Sequence, residues 1–113
     1  MTEQMSTPKV PDSKVLPLVD LVAYQDGSIV SRQIAKNEAG NVTLFAFDAG
    51  QQLSEHTTAF DAVLQVLDGE AEIHVAGEPS LVRPGQAILM PANIPHAVFA
   101  PVRFKMLLTM IRA

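Results

Sequence analysis

Turn signals recur along this chain at intervals too short to leave room for helices. Asp26-Gly27, Ala39-Gly40-Asn41, Ala49-Gly50, Asp68-Gly69, Ala76-Gly77 and Arg83-Pro84-Gly85 are followed by Pro91, Pro95 and Pro101. Glycine accepts the positive φ of a tight turn, and proline fixes φ and withholds a backbone donor. Between these breaks lie runs of about four to nine residues that lean apolar and β-branched. Such punctuation predicts an all-β sandwich or barrel of roughly eight to ten strands. So many short strands must manage their unpaired edges, and closing into a barrel does so.

Several strands can be placed from composition and alternation. Ser28 to Ala35 reads as an early strand and Val42 to Phe47 as a strongly β run. Asp61 to Leu67 and Ala71 to Val75 are joined by Asp68-Gly69, a hairpin signal. Glu72 and His74 alternate with Ala71, Ile73 and Val75, which puts polar side chains on one face and apolar ones on the other. Ala87 to Met90, Ala97 to Ala100 and Phe104 to Ile111 complete the strand set. Pro17 to Tyr24 is expected to hold a short helical turn, with Leu18, Leu21 and Val22 on one side.

Composition narrows the function classes. The 113 residues fit one domain, 15–113, with residues 1–14 read as a mobile tail. A hydrophobic fraction of 48% against 18% charged residues excludes a disordered chain. No apolar run approaches the roughly 18 residues of a spanning helix, and Met1 to Pro11 lacks the apolar core of a signal peptide. A cytoplasmic location is the resulting expectation. The absence of cysteine removes disulfides, thiol nucleophiles and thiolate metal sites. Net charge is −4 and the eight basic residues are scattered, so neither a nucleic-acid nor a membrane partner is expected. The glycines are isolated turn residues and form no phosphate-binding loop.

Three histidines, His56, His74 and His96, carry the chemical signal. Two of them sit in patterned surroundings: Gly50-Gln-Gln-Leu-Ser-Glu-His56-Thr-Thr58 with Gly69 downstream, and Arg83-Pro84-Gly85 with Pro91, Pro95 and His96. His74 shares a polar strand face with Glu72 and reads as a surface residue.

On these residues the chain resembles the cupin superfamily, small proteins with a double-stranded β-helix or jelly-roll barrel. The family's first motif runs Gly, five residues, His-x-His, three or four residues, Glu or Gln, six residues, Gly. Gly50, His56 and Gly69 match it. Its second motif is a Pro-Gly turn with a histidine about ten residues on, matched by Pro84-Gly85 and Pro95-His96. The resemblance spans roughly Val42 to Ile111. It implies a metal held by three imidazoles and one carboxylate or amide, a donor set suited to Zn, Ni, Fe, Mn or Cu. Here Thr58 stands at the second histidine position and Ala62 at the carboxylate position. His56 and His96 are the two remaining ligand candidates. Glu55, Asp61 and Gln65 have the wrong strand parity to substitute, unless a bulge re-aims one of them.

A metal-free pocket is therefore the favoured expectation. Its lining is His56, Thr58, Ala62, His96, Met90, Met106 and Met110, with the methionines serving first as adaptable core filler. The function expected is binding or sensing of a small organic ligand in the barrel. The alternative is a small metal-dependent or histidine-base enzyme, of oxygenase or isomerase type, acting on a sugar or small acid. The resemblance also implies a homodimer through the outer face of one sheet, often with an N-terminal strand crossing to the partner. Leu107 and Ile111 would need cover if their face lies outside the barrel.

Overall fold

The computed structural model describes residues 4–6 and 10–113. The rest of the segment read as a tail, residues 1–3 and 7–9, lies outside the described residues. Among the described residues ten strands are formed: β1 (Gln4–Ser6), β2 (Ile29–Asn37), β3 (Gly40–Phe47), β4 (Gln52–His56), β5 (Phe60–Asp68), β6 (Ala71–Val75), β7 (Glu78–Val82), β8 (Ala87–Met90), β9 (His96–Phe99) and β10 (Phe104–Arg112). One sheet has the order β1-β2-β3-β10-β5-β8 and the other β4-β9-β6-β7. The two sheets enclose one core, a jelly-roll barrel. β1 runs parallel to β2 of the same chain, and the remaining pairs are antiparallel.

Strand alternation decides what fills the barrel. On β10, Phe104 and Met106 are buried and Leu108 and Met110 pack beside them, while Leu107 belongs to a separate cluster on the other face. Phe45 and Phe47 come from β3, Ala62, Leu64 and Val66 from β5, and Ala71 and Ile73 from β6. Phe47 and Phe104 stack with ring centroids 4.5 Å apart. Burying side chains of this size stabilises the fold by about 1.5–3 kcal/mol each.

The outer face of the six-stranded sheet is covered unevenly. A 3₁₀ turn at Leu18–Asp20 stands where the helical turn was predicted. The segment around it lays Leu18, Leu21, Val22 and Tyr24 against Val30, Leu44, Ala46 and Leu107. Leu107 is thus covered by the chain's own residues, whereas Ile111 stays 52% exposed.

The predicted β5–β6 hairpin forms around Gly69, whose φ is +71°. A Cβ at Gly69 would collide with the Arg103 carbonyl, so two constraints act on that one position. Composition did not disclose β4 and β7. β4 is mostly exposed and polar, and β7 is an edge strand carrying Pro79, where a missing N–H costs no ladder bond. β9 begins at His96, one residue before the predicted start, so that histidine belongs to the ladder.

Candidate functional site

Two turns meet at one end of the barrel and bring the patterned histidines together. The 91–95 loop between β8 and β9 is fastened to the segment between β4 and β5. Asn93 N–H donates to the Thr58 carbonyl at 2.8 Å, and Ala92 N–H donates to Asp61 Oδ1 at 2.8 Å. Asn93 takes a φ of +63° to make this approach. The prolines flanking it, Pro91 and Pro95, limit the alternatives open to the loop.

A bulge sets the direction of His56. Leu53 pairs with Val98 and His56 pairs with His96, so three steps on β4 match two on β9. Strict alternation would turn His56 away from the face that carries Leu53. The extra residue restores it to that face, beside His96. The imidazole rings meet edge to face, with centroids 4.4 Å apart. The bulge does not recruit Glu55, which is exposed on the edge strand.

The tautomers follow from the ring contacts. His56 Nδ1 lies 2.8 Å from the Ser54 carbonyl, and His96 Nδ1 lies 3.3 Å from the Ile94 carbonyl. A carbonyl oxygen has no proton to give, so each Nδ1–H donates. Each neutral ring then carries its lone pair on Nε2, and neither Nε2 has a protein partner among the described residues. His96 is 5% exposed. Burial lowers its pKa, the neighbouring His56 lowers it further, and the Ile94 carbonyl works in the opposite direction. At neutral pH the His96 ring is an uncharged acceptor.

The other predicted pocket residues divide by depth. Ala62, Met90 and Met106 are buried in the core, with Met110 packed against it. Met110 is paired with Ala62 and Ala62 with Met90, so these three make one inward row across the six-stranded sheet. Met106 lies deeper, beside Phe45 and Val66. Thr58 uses its hydroxyl locally, donating to the Phe60 carbonyl and accepting from Phe60 N–H. His74 lies on the outer face of the four-stranded sheet, its Nε2 2.7 Å from Glu72 Oε2, outside the barrel.

This donor set does not fit a tightly held metal ion. Among the described residues no group of three or more His, Cys, Asp or Glu is placed to hold one. Ala62 offers no donor atom. Asp61 has outward strand parity, as predicted, and its carboxylate is engaged by the 91–95 loop. Two Nε2 atoms alone fall short of the three or four protein ligands of a stable site.

Two residues of the barrel end went unnoticed in the sequence. Phe60 and Arg112 are paired at the start of β5 and the end of β10. Arg112 lies one step past the run read as the last strand. Its parity with Met110 was the available signal.

A jelly-roll barrel with a histidine pair at one end defines a small single-barrel protein. The chain belongs to the cupin domain family, which residues 43–111 match. It is similar to a conserved protein of unknown function from Streptococcus pyogenes, with 36% identity, a TM-score of 0.87, and 92% of this chain and 91% of that one covered. It is also similar to a Cupin 2 conserved barrel domain protein from Leptotrichia buccalis, with 39% identity and a TM-score of 0.83 over 85% of this chain and 47% of that one. A cupin superfamily protein from Desulfitobacterium hafniense matches at 28% identity and a TM-score of 0.85, covering 92% and 95% of the two chains. No curated protein matches the chain.

Proposed function

We propose that this protein binds or senses a small organic molecule at the histidine end of the barrel, without a resident metal. The observation that carries this reading is the pair of Nε2 lone pairs, each fixed in direction by an Nδ1–H bond to the carbonyl two residues before it. Two oriented acceptors beside the apolar row of Met110, Ala62 and Met90 suit a compact ligand whose hydroxyl groups donate to imidazole. The carbon skeleton would lie over the methionines.

The test is thermal unfolding of the full chain in the presence of small polyols, sugars and sugar acids, alongside elemental analysis of untagged protein. A ligand that binds only the folded state raises the melting temperature in proportion to occupancy. The expected result is a rise with at least one hydroxylated compound, reduced in His56→Gln, with transition metal well below one equivalent. One equivalent of a single metal, lost in His56→Gln, would replace this reading with the metal-dependent enzyme.

The homodimer belongs to the same proposal. The outward row Leu89, Val63, Thr109, Val42 and Ala35 runs straight across five strands, in register throughout. Leu89 is 59% exposed, and a shallow cleft of about 220 Å³ lies between Ala35, Val42, Thr109 and Ile111. A second copy placed on this half of the sheet would cover what the Leu18–Tyr24 segment leaves open.

A further inference from the structure

Arg112 is the last residue of β10, exposed at the rim of the barrel on the strand face that points inward. Phe104 and Met106 are buried in the core and Met110 packs against it, so even-numbered positions on β10 face inward. The β10–β5 register is unbroken from Met106 to Arg112, and it sets Arg112 directly opposite Phe60. Phe60 has the parity of Ala62 and Leu64, both core residues. The side-chain contact agrees with the register: the Arg112 guanidinium carbon lies 5.4 Å from the Phe60 ring centroid.

The guanidinium is held in place while part of it stays uncommitted. Nε donates to the Glu38 carbonyl at 2.9 Å, and the backbone N–H donates to the Ala39 carbonyl at 2.7 Å. These contacts and the aromatic face fix the plane of the group. No described carboxylate forms an ion pair with Arg112. Asp61, the neighbour of Phe60, has outward parity and accepts from Ala92. The terminal nitrogens of Arg112 therefore retain their donors. Lys36 occupies the inward row of Asn41 and Met110 on the adjoining strands and adds a second cation to this end. This end of the barrel is thus uneven in chemistry, with imidazole rings on the four-stranded sheet and an oriented guanidinium at the rim of the six-stranded one.

We propose that Arg112 is the anion anchor of this site, so that its ligand is a small hydroxylated acid whose carboxylate or phosphate meets the guanidinium while its hydroxyls meet the histidines. This rests on the pocket reading above and narrows it to an anionic class. A planar guanidinium suits a two-oxygen anion because two parallel N–H donors match it.

The experiment uses calorimetric titration of the full chain with matched probes. One arm holds glycerate, gluconate and inorganic phosphate; the other holds the neutral glycerol and sorbitol. The expected result is that an acid binds at least about tenfold more tightly than its neutral counterpart, since a hydrogen bond to a charged partner is worth at least that factor. Arg112→Gln should abolish this preference by weakening the acid selectively, and Arg112→Lys should restore part of it. His56→Gln should weaken both arms. Arg112 is exposed, so its variants are expected to keep the wild-type circular dichroism. Phosphate binding alone would identify a phosphate ester as the ligand class and support the anchor; binding of glycerate or gluconate without phosphate would support it for a carboxylate. Equal affinity for acid and neutral probes, insensitive to Arg112→Gln but sensitive to His56→Gln, would overturn the anchor and leave the pocket standing. Failure of every probe to bind would overturn both.

Discussion

At the scale of single residues, His96 is the group whose surroundings most alter its chemistry. Buried and edge-on to His56, it takes up a proton less readily than a free imidazole with pKa 6.5. The unfolded chain protonates this residue near pH 6.5, whereas the folded protein resists until the pH is lower. Its contribution to stability is therefore full above that pH and is lost as pH falls toward the folded value. Urea midpoints should decline below pH 6.5, and His96→Gln should flatten that limb. In His56→Gln the repulsion from the second imidazole disappears. The His96 pKa should then move upward, while burial still holds it below 6.5; a proton NMR titration of the ring reads this directly. Tyr24 gives a complementary alkaline signal, since it is the protein's single tyrosine. Burial and then its bond to Asp68 raise the phenol well above its usual 10. Stability should fall above pH 10 as the unfolded state loses that proton first, and tyrosinate absorbance should appear together with unfolding.

At the scale of elements, two devices carry the site. The β4 bulge is the first. Its extra residue returns His56 to the inner face, so deleting Glu55 should remove the bulge and leave His56 two steps from Leu53, on the same inner face. That variant should keep the all-β circular dichroism and the mutual ring-current shift of His56 and His96, whereas deleting Ser54 and Glu55 together should turn the imidazole outward and abolish that shift. The strap from Leu18 to Gly27 is the second. Tyr24 donates to Asp68 at 2.5 Å, and its ring is faced by Arg103 and Lys105 at 5.4 and 5.0 Å. Lys105 donates to the Val19 carbonyl, and Arg103 joins Asp26 to Asp48. Tyr24→Phe should cost about 1 kcal/mol in equilibrium unfolding, the net worth of one hydrogen bond. The strands with strong apolar alternation were readable from the sequence because burial and period coincide there. β4 was not, because its residues are polar and the bulge breaks its period. β7 was not, because Pro79 argues against a strand except at an edge, and only the sheet order shows that β7 is one.

At the scale of the whole molecule, the six-stranded sheet is closed by the strap over one half and left apolar over the other. Light scattering at micromolar concentration should report a dimer, and Leu89→Asp together with Ile111→Asp should yield a folded monomer. A monomeric wild type would reject the proposed interface. The sequence by itself determined the barrel, since its turn spacing, strand composition and two motifs all agree, and local chemistry that consistent leaves few folds open. It also determined that the usual ligand set is incomplete, because Thr58 and Ala62 are covalent facts. The tertiary structure alone decided which way His56 points, that both histidines present Nε2, and that Arg112 faces inward over Phe60. Each of these depends on register between strands far apart in the chain, and a shift of one residue reverses every side chain without altering a letter of the sequence.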